Sequence, residues 1–152
     1  MATKKSSLKY QIAIVAGRFN DFVTKRLLNS CLVELKRLGI NDKDVTTVWV
    51  PGAFEMPLAA QALAKKKNIS AVICLGAVIR GETYHFETVA NESSRGIMHV
   101  GLATGKPVIN GILTCDTVDQ AYKRSQEKGG ENKGHDCASN AVEMLGLLKA
   151  IK

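Results

Sequence analysis

Four short apolar runs, separated by segments of helical periodicity, constrain the fold of this chain more than any other feature. The runs are nearly continuous rather than alternating, which is typical of strands in a parallel sheet covered on both faces. Their positions are Tyr10–Ala16, Val45–Val50, Ala71–Leu75 and Val108–Leu113. The sequence therefore predicts a sheet of parallel strands.

Helical patterns fill the intervals between these strands. Apolar residues from Val23 to Leu38 share one helix face, and Gly39 supplies a stop signal. Pro57 suits the first turn of a second helix, where its missing N–H group does no harm. Further helices are predicted over Val89–Val100, after Thr117, and over Asp136–Ile151. The alternation predicts an α/β three-layer sandwich, a four-stranded parallel sheet flanked by helices with flavodoxin-like layering.

The length of 152 residues predicts a single domain over 1–152, with residues 1–8 as a flexible N-terminal tail. No apolar run approaches the roughly 18 residues that a membrane span needs. The polar N-terminus also lacks the apolar stretch of a secretory signal. These features predict a cytoplasmic protein without a membrane partner.

The four cysteines, Cys31, Cys74, Cys115 and Cys137, are far apart in the sequence. They show no C-x-x-C pair and no metal-ligand spacing, and two of them lie inside apolar runs. We expect reduced thiols in the core and no metal site.

The formal net charge of +7 raises the question of nucleic-acid binding. The basic residues are scattered, however, and aromatic residues make up only 5% of the chain without being interleaved with them. A base-stacking surface needs both features together, so we expect no nucleic-acid partner. A solvated basic face accounts for the charge, which also suits anionic substrates.

Polar and aromatic residues follow the first three predicted strands. Ligands of open parallel sheets bind beyond the carboxyl ends of the strands, so these segments are the first candidates for a site. They are Gly17–Asp21, Pro51–Glu55 and Gly76–His85. Their coincidence at one edge of the predicted sheet favours an enzyme.

Three residues of these segments have both a functional and a structural interpretation. A histidine side chain can both donate and accept a proton, so His85 could act as a general acid or base, or it is a loop histidine without a role. Phe19 could form one side of a stacking slot for a planar ring, or it packs on the adjoining helix. Glu55 could accept hydrogen bonds from ligand hydroxyls, or it only complements a helix dipole.

Other residues favour structural interpretations when considered alone. Considered alone, Arg124 is predicted to be a surface arginine, although the planar set of donors on its guanidinium could pair with phosphate. We expect His99 to lie on a helix face, His135 to be structural or exposed, and Trp49 to be part of the core.

Taken together in their order, the motifs of this chain resemble lumazine synthase. They are Gly17–Asn20, Trp49–Glu55, and Leu75–Gly81 followed by Thr83 and His85. Gly111–Thr114, Gln120–Ala121 before Arg124, and Asn132–Gly134 extend the resemblance almost to the C-terminus.

This resemblance implies the condensation of 5-amino-6-(D-ribitylamino)uracil with 3,4-dihydroxy-2-butanone 4-phosphate, without a metal or organic cofactor. It implies that His85 transfers protons and that Phe19 stacks on the pyrimidine. The other substrate-binding residues implied are Ala53, Phe54 and Glu55 for the ribityl chain; Ala77, Val78 and Ile79 for the uracil; and Glu82, Thr83 and Arg124 around the phosphate. Lys133 is implied as a further substrate-binding residue.

Members of this family form pentamers with the site between neighbouring subunits, so the resemblance implies that Asn110 and Arg124 serve the site of the next chain. It leaves open a 60-subunit shell and an association with riboflavin synthase. The chain departs from the family pattern at two positions. Asn110 replaces an aromatic common in bacterial members, and Glu82 replaces a small residue beside the expected phosphate.

Three other classes of protein share this layering. A flavodoxin-like electron carrier needs a Ser/Thr-rich loop after the first strand, where this chain has Gly17–Asn20. A receiver domain needs an aspartate at the end of the third strand, where this chain has Leu75 and Gly76. A non-catalytic flavin- or lumazine-binding shell protein of the same fold remains the alternative.

Overall fold

Four parallel strands form one sheet in the computed structural model, which describes residues 9–152. The strand order is β2-β1-β3-β4, so β1 and β3 are central. The bounds are β1 Ile12–Gly17, β2 Val45–Val50, β3 Ala71–Ile79 and β4 Val108–Cys115. The predicted tail, residues 1–8, lies outside the described residues.

Five helices cover the two faces of this sheet. They are α1 Asp21–Arg37, α2 Met56–Ala64, α3 His85–Thr104, α4 Val118–Lys123 and α5 Lys133–Ile151. Apolar side chains of α1, α4 and α5 form the core on one face, and those of α2 and α3 form it on the other. The predicted α/β three-layer sandwich is therefore confirmed. None of the helices within residues 9–152 is long and apolar enough to cross a bilayer.

Two predicted element boundaries were wrong in ways that affect the site. The sequence ended the third strand at Leu75, but β3 continues to Ile79 because it pairs with β4 as far as Ile79↔Cys115. The third helix was expected from Val89, but α3 begins at His85. Both differences arise because the apolar periodicity weakens where side chains leave the core for the edge of the sheet.

The prediction that Trp49 belongs to the core was also wrong. Trp49 lies on β2, which is an edge strand, and 37% of it is exposed. The sequence predicted a buried strand there, but no residue of β2 is fully buried. An edge strand has a neighbour on one side only, so its apolar residues are covered less than those of β1.

The prediction of reduced core thiols is confirmed, since all four cysteines are free and buried. Burial raises the pKa of the Cys74 and Cys137 thiols to about 12. It also raises the pKa of Cys31 and Cys115 above the usual range. At neutral pH these groups are therefore uncharged thiols, which are poor nucleophiles and poor metal ligands.

A buried carboxylate joins α1 to the start of α5. Only 3% of the Glu34 side chain is exposed, and its oxygens accept hydrogen bonds from Arg37 Nε at 2.9 and 3.0 Å. His135 Nε2 lies 3.1 Å from the same carboxylate, which gives this half-exposed histidine a structural contact. The Arg37 hydrogen bond, with the charge of His135, holds the pKa of Glu34 below its ordinary value of 4.5 despite its burial.

Replacing Glu34 with glutamine is expected to destabilise the protein at neutral pH by about 1.5–3 kcal/mol, because hydrogen bonds to a charged group are lost. Since the pKa is lowered in the folded state, this stabilisation is complete above the ordinary value of 4.5 and disappears as the pH falls through the lowered pKa. Chemical denaturation between pH 7 and pH 3 should therefore give a shallower acid limb for Glu34→Gln than for wild type.

Glu92→Gln is the matched control for this measurement. Glu92 also pairs with an arginine three positions along a helix, but its side chain is 49% exposed. Exposed pairs of this kind contribute about 0.2–1 kcal/mol, so Glu92→Gln should follow the wild-type curve closely. Parallel acid limbs for wild type and Glu34→Gln would contradict the assignment.

Candidate functional site

A cavity of about 720 Å³ opens beside the carboxyl ends of β1, β2 and β3. This is the edge at which ligands of parallel sheets bind. Most of its wall is apolar or aromatic, with a few polar groups that could orient a ligand. Nine predicted site residues line it: Phe19, Ala53, Phe54, Glu55, Ala77, Val78, Ile79, Thr83 and His85.

The segment after β1 forms one wall of the cavity. Phe19 is 75% exposed and lies beside Gly52, where an added Cβ would be 3.7 Å from Phe19 Cβ. The Phe19 backbone N–H donates to Pro51 O at 2.9 Å, which fixes this turn against the segment after β2. An exposed ring held by its backbone in this way can offer a face to a planar ligand.

The segment after β2 forms the neighbouring wall. Residues Ala53–Glu55 make a single 3₁₀ turn that leads directly into α2. Ala53 is buried, whereas Phe54 and Glu55 are exposed towards the cavity that they line. Within residues 9–152 the Glu55 carboxylate makes no ion pair, so its oxygens are free to accept from a ligand.

The last residues of β3 line the cavity through one open strand edge. Pairing with β1 stops at Ala16↔Leu75, while pairing with β4 continues to Ile79 on the other side. Along Ala77–Ile79, the edge that faces β1 is therefore unpaired among the described strands. Backbone N–H and C=O groups on such an edge can bind the polar edge of a heterocycle.

Asn20 partly occupies this open edge, and the sequence did not single it out. Its Nδ2 donates to Ala77 O at 2.9 Å, so it joins the start of α1 to the end of β3. Its backbone is left-handed, with φ 58°, which asparagine tolerates better than most residues. The polar residue in a turn after a strand was visible in the sequence, but its contact 57 positions away was not.

His85 is the first residue of α3 and lies at the mouth of the cavity. It is exposed, and its backbone N–H lies 3.4 Å from the Thr83 hydroxyl. The free N–H groups and the positive dipole end of this 20-residue helix face the same region. This arrangement combines a group that can transfer protons with a setting that favours an anion.

Four predicted site residues do not line the cavity of this chain: Glu82, Asn110, Arg124 and Lys133. Glu82 is exposed, while Gly81 and Thr83 on either side of it line the cavity. Asn110 lies within β4, opposite Cys74. Its amide oxygen accepts from Ile112 N at 3.0 Å. Its amide nitrogen lies 3.4 Å from Ser94 Oγ.

Arg124 and Lys133 lie together, although nine positions separate them. The Lys133 backbone N–H donates to Arg124 O at 2.9 Å, beside the bridge between Ser125 and Asn132. Arg124 Nη1 donates to Gln120 O at 3.0 Å at the end of α4. The structure therefore places the backbones of two predicted substrate-binding residues side by side, outside the cavity lining of the same chain.

Several cavity residues were missed because nothing in the sequence marks them as functional. Phe86, Thr88 and Val89 come from the first turns of α3, and Val118 from the start of α4. Phe86 and Thr88 were missed because the third helix was expected to begin only at Val89, whereas Val89 and Val118 were read as ordinary apolar residues of helices. His99, by contrast, is exposed on the α3 surface as predicted.

The sequence matches the family model described as 6,7-dimethyl-8-ribityllumazine synthase over residues 9–149. The match covers nearly the whole chain and includes every segment that lines the cavity. The chain belongs to the 6,7-dimethyl-8-ribityllumazine synthase family. Membership assigns it to the lumazine synthases of riboflavin biosynthesis, which are transferases. The resemblance to lumazine synthase that the sequence motifs indicated is thereby confirmed.

Proposed function

We propose that this protein condenses 5-amino-6-(D-ribitylamino)uracil with 3,4-dihydroxy-2-butanone 4-phosphate to form 6,7-dimethyl-8-ribityllumazine, with release of phosphate and water. The observation that carries this proposal is the convergence of nine family-implied residues on one cavity. A binding protein without catalytic activity would also need the apolar wall, whereas the condensation in addition needs a proton-transfer group, which His85 can supply.

The two substrates are matched by different parts of the cavity. Phe19 offers a ring face to the pyrimidine, and the open edge of β3 at Ala77–Ile79 offers backbone groups to its polar edge. Glu55 accepts from ribityl hydroxyls. The butanone phosphate lies near Thr83 and the N-terminus of α3, where N–H groups and the helix dipole favour an anion.

Holding the amine next to the carbonyl supplies much of the acceleration, because it converts a bimolecular step into one within the complex. His85 is the first residue of α3. In the proposed reaction it moves protons as the amine adds and as water and phosphate leave. No cofactor takes part in the proposed reaction.

The complete site includes a neighbouring subunit of a homopentamer in the cytoplasm. Arg124, Lys133 and Asn110, which do not line the cavity of their own chain, serve the cavity of the next one. A 60-subunit shell and association with riboflavin synthase are compatible with this arrangement. The backbone hydrogen bond between Lys133 and Arg124 keeps these residues adjacent and supports a shared role at the phosphate.

The activity is tested by mixing purified protein with both substrates and following the lumazine by absorbance and fluorescence. A rate well above the spontaneous reaction without protein supports the proposal. No acceleration from folded, assembled protein would overturn it and favour the non-catalytic shell protein. In that case Asn110 and Glu82 would be the first positions to restore to the family residues.

Replacing Arg124 with alanine is expected to raise the KM for butanone phosphate by about 10- to 150-fold, with little change in the KM for the pyrimidine. The reason is the loss of a charge-assisted hydrogen bond worth roughly 1.5–3 kcal/mol. Steady-state kinetics with each substrate varied in turn measure both constants. Lys123→Ala, which removes another exposed cation next to Arg124, is the control and should retain both values. An unchanged phosphate-substrate KM in Arg124→Ala would mean that the phosphate is bound elsewhere.

A further inference from the structure

Arg80 connects three segments at the edge of the sheet without lining the cavity. It is the first residue after β3, and its backbone N–H donates to Cys115 O at 2.9 Å. Its Nε donates to Asp116 Oδ1 at 2.7 Å, and its Nη1 donates to Glu87 Oε1. Its guanidinium carbon also lies 4.4 Å from the centre of the Phe86 ring.

Two of these partners immediately follow His85 in the first turn of α3. Phe86 lines the cavity, and Glu87 is the acidic residue of that turn. The segment 81–85 that leads into the helix is exposed throughout. Among the side-chain hydrogen bonds of the described residues, the one from Arg80 to Glu87 ties this first turn back to the end of β3. This hydrogen bond lowers the pKa of Glu87, and those to Asp116 and Glu87 raise the pKa of Arg80, so these groups stay charged.

The third partner extends the network towards α4. Asp116 N donates to Gln120 Oε1 at 2.7 Å, and Gln120 O accepts from Arg124 Nη1 at 3.0 Å. Arg80 thus lies between the helix that begins with His85 and the segment that ends with Arg124. The Arg80 side chain is 44% exposed, and an isolated ion pair with that exposure would contribute little to stability. Two carboxylates and an aromatic face on one planar guanidinium instead fix its orientation and that of its partners.

We propose that Arg80 is a positioning residue for the condensation, holding the first turn of α3 so that His85 keeps its place at the cavity. This rests on the proposed function. Arg80 touches no substrate in this assignment and acts through His85. Small displacements of a group that must approach its reacting atom closely reduce turnover far more than binding.

The test is a double-mutant cycle in which the assembled wild type, Arg80→Gln, His85→Ala and the double variant are compared by kcat and KM. Arg80→Gln is expected to lower kcat about tenfold with both KM values within about twofold. In the His85→Ala background the same change should lower kcat by less than about twofold, because the residue through which it acts is gone. Arg80→Lys, which keeps the charge but cannot bind both carboxylates, should fall between wild type and Arg80→Gln.

Arg95→Ala is the control, since Arg95 forms an exposed ion pair farther along α3 and should keep the wild-type kcat. Should Arg80→Gln fail to fold, Glu87→Gln removes one contact of the network and is expected to lower kcat about threefold on its own. Wild-type kcat in the folded Arg80 or Glu87 variants, or an undiminished effect in the His85→Ala background, overturns the inference. A wild type that forms no lumazine overturns the proposed function itself, so the two failures are distinguishable.

Discussion

Replacing His85 with alanine is expected to slow lumazine formation by one to three orders of magnitude while the protein stays folded and assembled. The histidine is exposed at the start of α3, at the mouth of the cavity, so its removal leaves no buried void. General acid–base catalysis contributes about 10²–10⁴ in rate, and the loss is at the lower end if water partly replaces the imidazole. The measurement is kcat under saturation with both substrates.

His99→Ala is the matched control for this experiment. It removes an exposed histidine from the same helix, outside the cavity lining, and should leave kcat as in wild type. Comparable thermal unfolding and particle size for both variants exclude loss of structure as the cause. A His85→Ala protein with near wild-type turnover would remove His85 from the mechanism and leave proximity as the main source of acceleration.

Replacing Gly134 with alanine is expected to destabilise the protein by about 3 kcal/mol or more, which is the upper range for overpacking. A Cβ at Gly134 would lie 1.9 Å from Leu27 O, a backbone atom of a fully buried residue, so α5 must move away from α1. The expected fall in melting temperature is on the order of 10 °C. Since Lys133 is the preceding residue, the KM for butanone phosphate should rise as well.

Gly146→Ala provides the control on the same helix. A Cβ there meets nothing within 4 Å, so the change should be neutral or stabilise α5 by up to about 1 kcal/mol through helix propensity. Calorimetry or circular dichroism on both variants gives the comparison. A melting temperature of Gly134→Ala within two or three degrees of wild type would correspond to a loss of about 1 kcal/mol or less in unfolding free energy. The close contact between α1 and α5 would then not be as described.

The candidate site shows where prediction from sequence succeeded. Phe19, Glu55 and His85 were identified because each follows a strand, and parallel strands bring their carboxyl ends to one edge. The roles assigned to them came from the resemblance, because a lone histidine or aromatic in a turn has ordinary structural explanations. The network of Arg80 was not predicted, since its partners Glu87 and Asp116 are 7 and 36 positions away.

The sequence by itself determined the α/β order and the helix faces, because the periodicity of apolar residues is a local property that reflects burial. Only the tertiary structure decided which strands are edges, which left Trp49 partly exposed and extended β3 to Ile79. It also decided that Gly134 meets the backbone of Leu27 and that Lys133 joins Arg124. These features depend on strand pairing and helix contact between distant segments, and neither leaves a local pattern in the chain.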